Sequence, residues 1–87
     1  MRSTTLQEFP AEIPVKVMGR HDSDLRALTQ AIIERHTGPV LDSSVRVRTS
    51  GDGNFLAVTY VVFASSREQI DAIYRELTAC KSVLMAL

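Results

Sequence analysis

The residues able to ligate metals or to catalyse reactions are few, and their spacing points to no particular chemistry. His21, His36 and the single cysteine, Cys80, could hold a metal ion, but no two of them stand at the close spacing of a zinc motif. The acidic residues of the helix-like segments are explained by a solvated helix face, and no nucleophile–base pair is indicated by spacing. We therefore predict that the protein is not an enzyme, and that it holds no metal and no cofactor.

The glycine-rich segment 51–54 (Gly-Asp-Gly-Asn) superficially resembles a phosphate-binding loop. Such loops join a strand to a helix whose N-terminus holds the anion. Here the segment lies between two strand-like runs, residues 45–48 and 55–64, and it supplies the residues that tolerate positive φ. We interpret it as a hairpin turn.

Composition narrows the class of protein. The 87 residues are 45% hydrophobic and 23% charged, which is typical of one globular domain. Ten basic and ten acidic residues cancel, so the long-range field that attracts nucleic acid is missing, and we expect no nucleic-acid partner. One cysteine cannot form an internal disulfide, which favours the cytoplasm. Residues 1–8 contain no apolar run of the length of a signal peptide, and nowhere do about 18 apolar residues run together, so we expect neither export by a signal peptide nor membrane association.

The first half of the chain reads as strand, helix and strand. Residues 1–8 are polar and predict a flexible tail, and residues 9–87 predict a single domain. Apolar residues alternate over 13–18, a strand pattern that we expect Gly19 to end. A helix capped by Asp22 or Ser23 should bury Leu25, Leu28, Ile32 and Ile33, and end at Gly38-Pro39.

The second half repeats the pattern. The almost wholly apolar run 55–64 predicts a third strand, and two capping boxes, Ser65 with Glu68 and Ser66 with Gln69, could start the second helix. That helix should bury Ile70, Ile73, Tyr74 and Leu77, and residues 83–87 predict a closing strand. The order β-α-β-β-α-β predicts an α+β, ferredoxin-like fold, with a four-stranded antiparallel sheet and both helices on one face.

This fold leaves one sheet face without helices. We place Leu56, Val58, Tyr60 and Val62 inward, which turns Phe55, Val61 and Phe63 outward. A buried phenylalanine covers roughly 150–250 Å², so the outward set could expose a few hundred Å², the size of many interaction sites. The predicted interaction face comprises Lys16, Met18, Arg46, Arg48, Phe55, Val61 and Phe63. Two alternatives stay open: a reversed strand phase, or coverage of the face by the N-terminal tail.

RNA-recognition modules share this element order and stack bases on aromatic residues of their two central strands. Phe55 and Phe63 could supply aromatic rings on the third strand, but the first strand turns only Pro14, Lys16 and Met18 outward. An RNA- or protein-binding adaptor that uses the helix-free face is therefore the alternative hypothesis.

From residue 9 onward the chain resembles the small bacterial YbeD-like proteins. The resemblance rests on residues 16–19 (Lys-Val-Met-Gly), 53–54 (Gly-Asn) and 74–77 (Tyr-Arg-Glu-Leu), and on an apolar strand at the end. It implies the ferredoxin-like fold and a likeness to ACT-type regulatory domains, which bind small metabolites such as amino acids at subunit interfaces. It carries over no catalytic residue.

By that likeness, the ligand-binding loop would be the one after the first strand, which here is Gly19, Arg20, His21 and Asp22. We therefore expect a cytoplasmic, non-enzymatic regulatory or interaction domain that senses a small metabolite. Its expected partners are a second copy in a homodimer, another protein, or the metabolite itself.

Overall fold

Strands and helices follow one another in the order that the sequence predicts. The computed structural model describes residues 8–21 and 24–87. The strands are β1 (Ala11–Arg20), β2 (Val45–Thr49), β3 (Phe55–Ala64) and β4 (Met85–Ala86), and the helices are α1 (Leu25–Thr37) and α2 (Arg67–Ala79). One turn of 3₁₀ helix, Asp42–Ser44, precedes β2.

The four strands form one antiparallel sheet in the order β2-β3-β1-β4. This is the ferredoxin-like arrangement, and it confirms the predicted fold class. The central strands β1 and β3 are paired over ten residues each, from Ala11 opposite Ala64 to Arg20 opposite Phe55. They carry most of the sheet, and the shorter β2 and β4 form its edges.

The core lies between one face of this sheet and the two helices. Its members alternate along the central strands and line the inner sides of the helices: Val15, Val17, Val58, Tyr60, Val62, Leu25, Ile32, Ile33, Ile73 and Leu77. Because the buried residues of β1 and β3 share one face, both helices lie on that face. The inward phase predicted for β3 is confirmed, with Leu56 partly buried against the core, and the reversed phase is excluded.

Helix α1 is rotated relative to the apolar pattern. Leu28, which we predicted to be buried, is 44% exposed, whereas Thr29 is fully buried. The Thr29 hydroxyl donates to the carbonyl oxygen of Leu25 at 2.7 Å and lies 2.7 Å from the Tyr60 hydroxyl. The prediction for Leu28 was wrong because a threonine with a satisfied hydroxyl can be buried, and a count of apolar positions does not include it.

The helix ends agree in part with their predicted caps. Asp22 and Ser23 lie outside the described residues, and Asp24 occupies the N-cap position of α1 without a side-chain hydrogen bond. Gly38 ends α1 as predicted, with φ at 86° and its N–H donating to the Glu34 carbonyl oxygen. A positive φ at that position favours glycine.

The start of α2 confirms one half of a predicted capping box. The Ser66 hydroxyl accepts from the Gln69 N–H at 3.1 Å. The return bond differs, because the Gln69 side-chain oxygen accepts from the Ser65 N–H at 2.7 Å. The Gln69 amide nitrogen also donates to the His36 carbonyl oxygen at 2.5 Å, so this side chain joins the start of α2 to the end of α1.

Two strand boundaries differ from the sequence-based prediction. Gly19 does not end β1, because Gly19 and Arg20 still pair with Leu56 and Phe55 of β3. The closing strand is only Met85–Ala86 rather than residues 83–87. The flanking backbone nevertheless follows β1, since the Leu84 N–H donates to the Met18 oxygen at 2.8 Å.

Candidate functional site

The sheet face without helices, which we call the open face, is built from alternate residues of all four strands. The register of the strands places its members side by side: Glu12, Pro14, Lys16, Met18, Arg20, Arg46, Arg48, Phe55, Ala57, Thr59, Val61, Phe63, Met85 and Leu87. Every residue of the predicted interaction face is among them. The residues of the N-terminal tail before Glu8 lie outside the described part, so the predicted alternative of a tail-covered face stays open.

Apolar side chains are exposed at both ends of the open face. Phe63 is 64% and Val61 42% exposed at one end, and Phe55 is 36% exposed at the other. Met85 and Leu87, which are 50% and 60% exposed, extend the apolar surface across β1. These last two residues were not predicted to lie on this face, although alternation within the predicted closing strand could have identified them.

Three cations occupy the middle of the open face. Arg46 lies beside Thr59, which pairs with Lys16 on its other side, and Arg48 lies one pleat further along β2. The ion pairs among the described residues are Arg26–Asp42, Arg35–Glu76 and His36–Glu76, and all lie away from this face. Lys16, Arg46 and Arg48 therefore have no acidic partner among the described residues, and an anion brought to this face meets charge that is not already neutralised.

A depression of about 260 Å³ lies on the open face where β2 turns into β3. It is lined by Lys16, Met18, Arg48, Thr49, Ser50, Gly51, Phe55, Leu56 and Ala57. None of the described residues that line it is acidic. Its position follows from the register, because Ala57 is a small residue between the longer side chains of Arg48 and Met18 in one cross-strand row.

The turn beside this depression is a hairpin, as predicted. The Gly53 N–H donates to the Ser50 oxygen at 2.9 Å, and Gly53 has φ at 78°. The Asp52 carboxylate accepts from the Ser50 hydroxyl at 2.6 Å and from the Asn54 N–H at 3.0 Å. These hydrogen bonds, the one from Ser50 first, hold the pKa of Asp52 below its ordinary value of 3.8. The only acid of the turn is therefore charged at neutral pH and bonded within the turn.

The predicted ligand loop is divided by the structure. Gly19 is buried within β1, and a side chain there would overlap the carbonyl oxygen of Ser82 and lie 2.9 Å from Leu25 Cδ1. Arg20 and His21 are exposed and line a depression of about 180 Å³ with Gly53 and Asn54. The His21 N–H donates to the Asn54 oxygen at 2.9 Å.

Asp22, the fourth predicted residue, lies outside the described part. The assignment of this loop as a ligand site stays a prediction. Gly19 differs from its neighbours in that its burial gives it a packing role in the fold.

The remaining residues with ligating chemistry have structural contacts. His36 Nε2 lies 2.6 Å from Glu76 Oε1, and Arg35 pairs with the same carboxylate. These contacts, that of His36 first, hold the pKa of Glu76 below its ordinary value of 4.5. Cys80 is a free, half-buried cysteine. In residues 8–21 and 24–87, no three histidine, cysteine or acidic side chains are grouped as a metal site would require, and neither helix has the length and apolarity needed to cross a membrane.

These features define a small ferredoxin-like α+β domain with one helix-covered sheet face and one open face that is both apolar and cationic. Residues 4–87 match the family described as protein of unknown function DUF493, and the chain belongs to that family.

Individual relatives cover most of the chain. A UPF0250 protein of Ralstonia nicotianae is 36% identical over 83 residues, 95% of this chain and 86% of that protein. A UPF0250 protein of Chromobacterium violaceum is 40% identical over 94% of this chain and 92% of its own length, and one of Bordetella pertussis is 40% identical over 84% and 80%. No solved structure matches the chain. The predicted YbeD-like resemblance is confirmed by these matches.

Proposed function

We propose that this protein is a non-enzymatic interaction domain that binds an acidic and apolar surface of a partner protein through its open face. The observation that carries the proposal is the combination, on one surface, of exposed Phe63 and Val61 with the cations Lys16, Arg46 and Arg48, which have no acidic partner among the described residues. Apolar area supplies affinity, and complementary charge supplies orientation and association rate.

The size of the face supports a protein as the partner. The ten residues of β3 and the spacing of four strands give a surface of roughly 30 by 14 Å, before side chains are added. Stable protein complexes bury about 800 Å² on each partner. A face of roughly 30 by 14 Å corresponds to about 420 Å², which is about half of that area, so a protein partner would cover the whole face, whereas a small ligand would cover only part of it.

A second copy of the chain fits the open face poorly. A two-fold face-to-face dimer with its axis through the middle of the open face would bring the cluster of Lys16, Arg46 and Arg48 against the same cluster of the other copy. One pair of like charges at 4 Å costs about 1 kcal/mol even in bulk water, and more where water is excluded. We therefore expect the homodimer anticipated from sequence, if formed, to use the outer edge of β2.

We favour an acidic protein over RNA as the partner of the open face. Stacked bases need aromatic side chains close together, but Phe55 and Phe63 are eight residues apart on β3, which is about 27 Å of extended strand. RNA binding is nevertheless an outcome that the experiment must be able to report.

Site-specific photocrosslinking in living cells tests the proposal. A photoreactive residue in place of Thr59, at the centre of the open face, should give a defined protein adduct. The same residue in place of Arg75, an exposed position on α2, should not. With the identified partner purified, Phe63→Asp and the double variant Arg46→Glu/Arg48→Glu should each weaken binding at least tenfold.

Three outcomes would contradict this function. One is equal crosslinking from Thr59 and Arg75. Another is an adduct that nuclease destroys, which would favour the RNA adaptor. The third is unchanged affinity in both variants, provided that circular dichroism shows them folded. We expect them to fold because the substituted side chains are exposed.

A second candidate function is small-metabolite sensing at Gly19–Asp22. The observation that favours it is the depression beside Arg20 and His21, where an anionic metabolite would meet a guanidinium group. Thermal-shift screening of amino acids and nucleotides tests it. A shift that Arg20→Ala and His21→Ala abolish would support this function, and no shift with any compound would count against it.

A further inference from the structure

We propose that the depression above Ala57 is an anchor site for one carboxylate side chain of the partner protein, bound between Lys16 and Arg48. This inference rests on the proposed function and names the chemical group that the open face recognises. Lys16 comes from β1 and Arg48 from β2, so the two cations reach the depression from opposite sides of β3.

The shape of the site follows from one small residue. Ala57 lies between Arg48 and Met18 in its cross-strand row, and Phe55 and Thr59 precede and follow it on the same face of β3. All four neighbours are larger than alanine, so the face is lowest at Ala57. A longer side chain at this position would fill the depression without changing the charge of the protein.

The lining defines the chemistry of the occupant. Met18 and Phe55 offer apolar walls for a methylene chain, while Lys16 and Arg48 offer donors for an anionic end. The Ser50 hydroxyl does not compete, because it donates to Asp52 at 2.6 Å and accepts from the Phe55 N–H at 3.0 Å. A glutamate or aspartate side chain combines the required apolar stem and carboxylate.

The open shape of the depression favours a peptide side chain over a free metabolite as the occupant. Pockets for drug-sized ligands measure about 300–1,000 Å³ and enclose most of the ligand. The depression measures about 260 Å³ and is open to solvent, so the flanking apolar face must supply further contacts. Those contacts come from neighbouring residues of a peptide chain. We therefore assign the carboxylate to a protein partner.

Nuclear magnetic resonance titration of the full chain with matched peptides tests this site. The probe is acetyl-leucyl-glutamyl-phenylalanine amide, and the control peptide has glutamine in place of glutamate. The glutamyl peptide should shift the amide signals of residues 16–18, 48–50 and 55–57 and bind at least fivefold more tightly than the glutaminyl peptide. Added salt should weaken binding of the glutamyl peptide and leave binding of the glutaminyl peptide unchanged.

Two variants test the shape and the charge of the anchor site separately. Ala57→Leu should weaken binding of the glutamyl peptide at least fivefold because the larger side chain fills the depression. Arg48→Gln should weaken it to the same extent because it removes a cation. The matched control is Ala31→Leu, on the exposed side of α1, which should leave the affinity for both peptides unchanged. Both variants can be checked for folding by the same spectra.

The outcomes separate this inference from the proposed function. Equal binding of the two peptides, or unchanged binding in Ala57→Leu, overturns the anchor site. Free glutarate that binds as tightly as the peptide overturns the assignment to a protein. If Ala57→Leu keeps the crosslinked partner while Phe63→Asp loses it, the anchor site fails and the interaction face stands. If both variants keep the partner, the proposed function fails as well.

Discussion

Replacement of Gly19 by alanine should destabilise the whole domain, because Gly19 is where the chain after α2 packs directly on β1. A Cβ atom at this position would overlap the carbonyl oxygen of Ser82 and lie 2.9 Å from Leu25 Cδ1. The Leu25 side chain can rotate, but the Ser82 oxygen belongs to the backbone that leads into β4. Relief of the overlap therefore requires movement of that backbone or of β1.

The size of the effect can be estimated from two opposing contributions. Overpacking of a core costs about 1–3 kcal/mol, and the upper end applies where backbone must move. Alanine also restricts the unfolded chain, which returns about 0.4–1 kcal/mol. We expect a net loss of about 2 kcal/mol in the free energy of unfolding. For a domain of this size, that corresponds to a fall of roughly 8–16 °C in Tm.

Two other glycines provide matched controls for the same substitution. No atom of the described residues lies within 4 Å of a Cβ built at Gly51, and its φ is not positive, so Gly51→Ala should be neutral or stabilising by up to about 1 kcal/mol. Gly53 has equal space but φ at 78°, so Gly53→Ala should cost about 1–2 kcal/mol through backbone strain alone. Urea unfolding and calorimetry of all three variants give the comparison.

The refuting result is a Gly19→Ala variant whose free energy of unfolding lies within about 0.5 kcal/mol of that of the unsubstituted protein, which is the usual range of surface substitutions. That result would mean that the close approach of Ser82 is not a constraint in solution. It would also return Gly19 to the set of residues whose function could be ligand binding alone.

Three further predictions concern the core, a helix cap and acid stability. Tyr60→Phe and Thr29→Val should each lower the free energy of unfolding by about 1 kcal/mol. Because the two hydroxyls lie 2.7 Å apart, the double variant should lose less than the sum of the two single losses. Strict additivity in urea unfolding would contradict this. Ser66→Ala should cost about 1 kcal/mol, since its hydroxyl accepts from the Gln69 N–H; an unchanged midpoint would show that α2 does not depend on the cap. The pKa of Glu76 is lowered, so its stabilising effect is complete above pH 4.5 and is lost as the pH falls through the lowered pKa. The stability difference between the parent protein and Glu76→Gln should therefore shrink from pH 6 to pH 3, and a constant difference would contradict the assignment.

Local patterns in the sequence predicted most of the element order. Alternation fixed the inward phase of β3, where Val58, Tyr60 and Val62 are buried, because the side chains of a strand have a strict period of two. The turn after β2 and the end of α1 at Gly38 were likewise predicted, since both depend on the φ angles that particular residues allow. The error at Leu28 and Thr29 arose because a polar group has its partner at a position distant in sequence. Thr29 is buried because Tyr60 reaches it from β3, and no local pattern contains that contact.

The open face likewise has features that local patterns predict and features that depend on contacts between distant residues. Which residues of β1, β2 and β3 face away from the helices followed from alternation alone. The positions of Ala57 between Arg48 and Met18, and of Met85 beside Met18, depend on strand register, which is set by turns and packing across the sheet. The depression and the extended apolar surface could not be read from the separate strands for this reason.

The order of elements, the fold class and the types of residue on the open face could therefore be predicted from local patterns. Three features depend on the folded arrangement: Gly19 packs against Ser82, Leu28 is exposed while Thr29 is buried, and Lys16 and Arg48 flank the same depression. The two groups of features differ in how far apart along the chain the interacting residues lie. Backbone preferences and side-chain alternation act between near neighbours in the chain, whereas packing contacts and clustered charges join residues that only the folded sheet brings together.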